Sequence, residues 1–181
     1  ANGTGELNNQ GANQPSDRSD LDTFLNAYNN AQHDEQWWRD HLDLPSYYSY
    51  RAIVECIHHY DLDDGKNYDY FHNPKTEKWQ VIPWDLDLTW ADHMYGGGEE
   101  PFKHRVLDQP ALRLEYQNRL REIRDLLFNT EQTNRLIDEY ASILLPTNNL
   151  IPSIAEADRR KWDYHPALAV GGQAGQGRFY Q

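Results

Sequence analysis

The stretch Asp61-Leu62-Asp63-Asp64-Gly65-Lys66-Asn67-Tyr68-Asp69-Tyr70-Phe71-His72-Asn73-Pro74-Lys75-Thr76-Glu77-Lys78-Trp79-Gln80-Val81-Ile82-Pro83-Trp84-Asp85-Leu86-Asp87 decides how this chain is read. Tyr68 to His72 and Trp79 to Ile82 have the aromatic and β-branched composition of strands. Asn73-Pro74-Lys75-Thr76-Glu77-Lys78 between them is turn chemistry, so a β-hairpin is expected. A hairpin brings its two outer ends together. Asp61 to Asn67, before the first strand, then become neighbours of Asp85 and Asp87, after the second. Carboxylates and an amide oxygen gathered there repel one another unless a cation sits among them. Hard oxygen donors without cysteine favour Mg²⁺, Mn²⁺ or Ca²⁺ over zinc. An EF-hand does not fit, because that loop needs glycine sixth and glutamate twelfth. Counting from Asp61, Gly65 is fifth and His72 is twelfth.

Outward from the hairpin the period changes to that of helices. Ser19 reads as an N-cap ahead of Leu21, Phe24, Leu25 and Tyr28. A second helix is expected near Pro45, with a stripe of Tyr50, Ile53, Val54 and Ile57. Gly96 to Gly98 mark a flexible loop. From Pro110 onward Leu112, Tyr116, Leu120, Ile123 and Leu127 form one stripe. Thr130 can cap a helix carrying Leu136, Ile137, Tyr140 and Leu144, and a last helix is expected from Pro152 to about Trp162. Residues 1–18 read as a linker, 19–165 as one helical lobe, and 166–181 as a Gly-, Ala- and Gln-rich tail. The fold class is α+β, mainly helical, around a central hairpin.

Composition narrows the partners. Twenty-nine acidic against 17 basic residues give a net charge of −12, which argues against nucleic acid and anionic membrane. No apolar run approaches the roughly 20 residues a membrane-spanning helix needs. Aromatics make up 13% of the chain, so a folded core is expected, one whose Tyr and Trp tips need hydrogen-bond partners. Cys56 is the only cysteine, which excludes an intrachain disulfide, and it reads as a small buried hydrophobe. His58 and His59 adjoin the aspartates, but no paired Cys or second spaced His accompanies them to make a zinc site. His93 and His104 read as surface residues. Trp37, Trp38, Trp84 and Trp90 read as core or interdomain packing rather than a sugar platform.

The order Asp, Asn, strand pair, Asp has a chemical precedent. Protein kinases place a catalytic Asp and a metal-binding Asn before a hairpin and a metal-holding Asp after it. Gly65-Lys66-Asn67-Tyr68, the Asn73-Pro74 turn, Trp79-Gln80-Val81-Ile82-Pro83-Trp84-Asp85-Leu86-Asp87-Leu88-Thr89 and, further on, Arg160-Lys161-Trp162 closely resemble the spore-coat CotH kinase family. The resemblance runs from Leu21 to Trp162 and is strongest between Tyr60 and Trp90. It implies a kinase-like fold that uses ATP and Mg²⁺ or Mn²⁺ to phosphorylate protein side chains, and an extracellular or cell-surface location.

Carried over by position, Asp61 takes the role of catalytic base. Asp63 and Asp64 are alternatives, because the family's spacing from base to Asn is shorter. Lys66 and Asn67 take cofactor-binding roles. Asn67, Asp85 and Asp87 take metal-binding roles. The resemblance also implies an amino-terminal lobe that covers ATP. Only residues 1–18 precede the first expected helix, so the chain is expected to be the carboxy-terminal lobe, with the amino-terminal lobe absent and a partner to it in the parent protein. Gly171 to Gly177 are no substitute, since no strand leads into them. A second class stays open: a surface or structural protein that keeps the kinase-like fold for binding without catalysis.

Overall fold

In the computed structural model, residues 17–63, 65–90, 99–145 and 153–154 are described. The chain falls into two compact units, Ala1–Phe128 and Asn129–Gln181. The first holds helices α1 (Ser19–Asn30), α2 (Glu35–His41) and α3 (Leu44–Cys56), strands β1 (Tyr68–Asn73) and β2 (Lys78–Pro83), then helices α4 (Phe102–Leu107) and α5 (Pro110–Leu127). The second holds α6 (Thr130–Leu144). The protein is therefore α+β and mainly helical, with one antiparallel hairpin, as the periodicity predicts.

Helix starts follow local chemistry. The Asp34 carboxylate accepts from the Trp37 N–H at 2.9 Å and starts α2, a helix too short to stand out by period. Asp43 caps α3 by accepting from the Ser46 N–H, with Pro45 in the first turn. Two expected caps move. Ser19 lies inside α1, and its N–H donates to Asp17 at 3.0 Å. Asn129, not Thr130, caps α6 by accepting from the Gln132 N–H. Helix α4 follows Gly96–Gly98, where no helix was expected; that glycine loop, the linker at 1–16, the rest of the Pro152 helix and the tail lie outside the described residues.

The core lies where α3 packs on α5 and on β2. Trp38, Leu42, Tyr47, Phe102, Val106 and Leu112 are fully buried there. Tyr68, Trp79 and Val81 line the inner face of the hairpin, and Phe71 and Ile82 the outer, exposed one. Of the expected tryptophans Trp38 is core, whereas Trp84 and Trp90 are about two-thirds exposed, at 65% and 67%. Both lie beyond the last ladder pair of the hairpin, with the Trp90 ring against that of Phe128 at 6.1 Å. Cys56 is a half-buried free thiol rather than a core residue, since it sits on the last turn of α3. The stripe of α6 is exposed along its whole length.

Ionisable groups also sit in this core. Glu100, just before α4, is fully buried and accepts from the Tyr47 hydroxyl and the Phe102 N–H, each at 2.7 Å. Burial pushes its carboxyl up to about 7, against the pull of those two bonds and of the Arg51 guanidinium. Arg51 is itself buried and bridges Glu55 and Glu99 through Nη2, at 2.7 and 3.0 Å.

The fold therefore holds a proton on Glu100 that the unfolded chain gives up near pH 4.5. This contribution is complete below that pH and is lost as pH rises through about 7. Stability should fall between pH 5 and pH 8 by on the order of 3 kcal/mol, taking about 1.4 kcal/mol per unit. Glu100→Gln should flatten the decline in thermal melts, and an equally steep decline in that variant would show that Glu100 is not its source.

Candidate functional site

The hairpin register pairs Tyr68 with Pro83 at its open end. The pairing extends one step further, for the Trp84 N–H donates to the Asn67 carbonyl at 3.1 Å. Asn67 and Asp85 are thus brought to the same end of the hairpin, one on each strand's continuation. Both have left-handed backbone, with φ of 66° for Asn67 and 53° for Asp85. Asparagine and aspartate tolerate that region better than other residues with a Cβ, at some cost in strain.

Asp61 is held from two sides. The Asn67 side-chain amide donates to Asp61 Oδ2 at 3.0 Å and to the Asp61 main-chain carbonyl at 2.6 Å. Lys66 Nζ forms an ion pair with Asp61 Oδ1, whose side chain is 12% exposed. The loop is closed by the Lys66 N–H donating to the Asp63 carbonyl, and by the Gly65 N–H donating to the Tyr68 hydroxyl at 2.7 Å. Gly65 has a φ of 75°, a conformation that suits glycine. Asp63 is exposed, and Asp64 lies outside the described residues.

Asp85 and Asp87 are exposed and take no hydrogen bond or ion pair from a described residue. The structure thus brings Asp61, Lys66 and Asn67 into contact and sets Asp85 beside them through the Trp84 bond. It does not gather carboxylates into a cage. Among the described residues no three His, Cys, Asp or Glu side chains come together as a metal centre. Asn67 commits its amide nitrogen to Asp61, which leaves Oδ1 as a hard donor, and the Asp85 oxygens are of the same kind. That donor set suits a cation completing its shell with water and phosphate oxygens, the usual habit of Mg²⁺.

Two buried residues escaped the sequence reading. His59 was weighed only as a zinc ligand, yet it is buried and its ring Nδ1 lies 3.3 Å from the Leu88 carbonyl oxygen. Glu100 carried no signal at all, because burial of a glutamate is invisible in a polar stretch such as Glu99-Glu100-Pro101. His104 is exposed, as expected.

Fold and loop together define a mainly helical α+β protein whose polar residues cluster at the open end of one hairpin. The model of the family described as CotH kinase protein matches residues 4–167, and the chain belongs to that family. It is 29% identical over 101 residues to the inner spore coat protein H of Bacillus subtilis (strain 168). That match takes in 50% of the chain and 28% of the relative's length. No described helix is long and apolar enough to cross a membrane.

The strain at Asp85 separates a structural role from a functional one. Asp85→Gly removes an exposed, unpartnered carboxylate and relieves left-handed backbone. It should raise stability in urea titrations by about 0.5–1 kcal/mol. A loss of stability of that size would instead make the carboxylate a structural acceptor.

Proposed function

We propose that this chain carries the metal-binding carboxy-terminal lobe of an atypical protein kinase, which moves the γ-phosphate of ATP to a protein side chain. Family membership supports the reaction class. The observation that carries the reading is the Asp61–Lys66–Asn67 contact set beside a left-handed, unpartnered Asp85. Backbone strain of this kind persists where function requires it.

In this reading Asp61 is the base among the three candidate aspartates. Its carboxylate is oriented by Asn67 and ready to take the proton of an incoming hydroxyl. Lys66, beside it, offers positive charge to the transferring phosphoryl group. Asn67 Oδ1 and Asp85 would hold Mg²⁺ or Mn²⁺, with Asp87 supporting from the same turn. A bound cation supplies charge neutralisation for the phosphate oxygens. Asp63 lies exposed and is the weaker candidate for base. That the Bacillus relative is a spore coat protein supports a spore-coat or other surface location.

The test is made in the full-length protein. Asp85→Asn keeps the side-chain shape and removes one anionic ligand. Metal-dependent phosphate transfer should drop about a hundredfold or more, with far-UV circular dichroism unchanged. An Asp85→Asn protein as active as its parent would refute the assignment.

A further inference from the structure

We propose that Tyr68 is a positioning residue, whose buried phenol oxygen locks the Asp63–Lys66 turn in the form that delivers Lys66 and Asn67 to Asp61. The proposal rests on the phosphate-transfer reading above.

Asp63 to Lys66 make a four-residue turn, closed by the Lys66 N–H donating to the Asp63 carbonyl at 3.1 Å. Gly65 is its third residue, with a φ of 75°. Turns with this closing bond come in forms that differ by a half-rotation of the central peptide. The third residue has φ of about −90° in type I and about +80° in type II. That rotation hardly moves the ends of the turn, so the closing bond does not choose between the forms. The N–H of the central peptide does. Gly65 N–H donates to the Tyr68 hydroxyl oxygen at 2.7 Å, and rotating the peptide would turn that donor away from its acceptor.

Tyr68 opens β1 and is 8% exposed, its ring against that of Tyr70 at 5.4 Å and its backbone in register with Pro83. The hairpin thus fixes where the phenol oxygen sits. Lys66 and Asn67 are the two residues between the tied positions, 65 and 68. They are also the two that hold Asp61, through the Lys66 ion pair and the Asn67 amide at 3.0 Å. Asn67 has a φ of 66°, so left-handed backbone flanks Lys66 on both sides. Such a path persists only where its surroundings over-determine it. Packing alone asks for phenylalanine at position 68. The hydroxyl is a polar group taken out of water, and the bond to Gly65 offsets that cost. A methyl group added at Gly65 meets no described atom within 4 Å, so alanine there bears only the backbone cost of positive φ.

The experiment is a double-mutant cycle read by thermal melting of the chain, with phosphate transfer followed in the full-length protein. Gly65→Ala should lower the melting temperature by about 3 °C, because the lock forces alanine into the left-handed form. Tyr68→Phe keeps the ring and frees the peptide to rotate, so Gly65→Ala in that background should cost little or nothing. Equal costs in the two backgrounds overturn the lock. Tyr68→Phe should also slow metal-dependent transfer about tenfold or more, with far-UV circular dichroism unchanged. A non-additive cycle with undiminished transfer makes the hydroxyl a structural tie alone and overturns the positioning role. Should Tyr68→Phe fail to fold, amide exchange in the parent decides, and a Gly65 N–H protected less than about tenfold over a free amide overturns the lock. A parent that transfers no phosphate while its cycle is non-additive overturns the phosphate-transfer reading, and the positioning role with it, but not the lock on the turn.

Discussion

Asp43 is the residue on which the hairpin depends. Its N–H donates to the Trp79 carbonyl at 2.9 Å, one carboxylate oxygen caps α3, and the other accepts from the Gln80 side chain at 2.7 Å. A two-stranded hairpin is marginal by itself in water. Here β2 is fixed by polar bonds at Asp43 and by Trp79, which lies buried in a stack with Phe24 and His72. Strand β1 follows by register, and with it Asn67. Every feature of the candidate site inherits its position from that corner between α2 and α3.

The two ends of the hairpin are treated differently. At the turn, Asn73 accepts from the Lys75 N–H through its side chain and from Thr76 and Glu77 through its carbonyl, so local chemistry closes it. At the open end the chain carries left-handed Asn67 and Asp85 and exposes Trp84. Unpaired carboxylates and strained backbone are poor choices for stability, and such choices concentrate where function sets the sequence. The charged cluster of Arg51, Glu55, Glu99 and Lys103 lies elsewhere, between α3 and the start of α4. It locks the chain re-entering the core after the hairpin. Arg51 keeps Nε and Nη1 without hydrogen-bond partners among the described residues. Removing either acidic partner would leave a buried guanidinium less compensated.

Much of the fold is legible in the residues. The stripe of α1, most of those of α3 and α5, and the hairpin bounded by Asn73-Pro74 are local patterns, and only the ends depart: Ile57 lies past the end of α3 and Leu127 is exposed. Helices α2 and α4 are too short, at 7 and 6 residues, to show a period, so they go unseen. Each cap is displaced by one residue because Asp17, Arg18 and Ser19, or Asn129 and Thr130, offer competing chemistry at adjacent positions. The exposure of Trp84 and Trp90 is missed for a different reason: aromatic residues are usually buried, and only the structure shows that these two lie past the end of the ladder.

For the site, sequence alone determined the residue types and their order. An aspartate cluster, a lysine and an asparagine stand before one strand, and an aspartate pair stands after the next. The hairpin's antiparallel pairing then makes the two groups neighbours whatever else packs around them. Tertiary structure alone decided which aspartate is held and which stands free. Asp61 is pinned by Lys66 and Asn67, while Asp85 and Asp87 face solvent. It alone also decided that His59 meets Leu88, 29 residues on, and that Glu100 meets Tyr47, 53 residues back. Such contacts have no sequence period, because they arise from how α3, the hairpin and α4 close on one core. Burial and hydrogen bonding, which set protonation and orientation, are properties of that closure rather than of any local stretch.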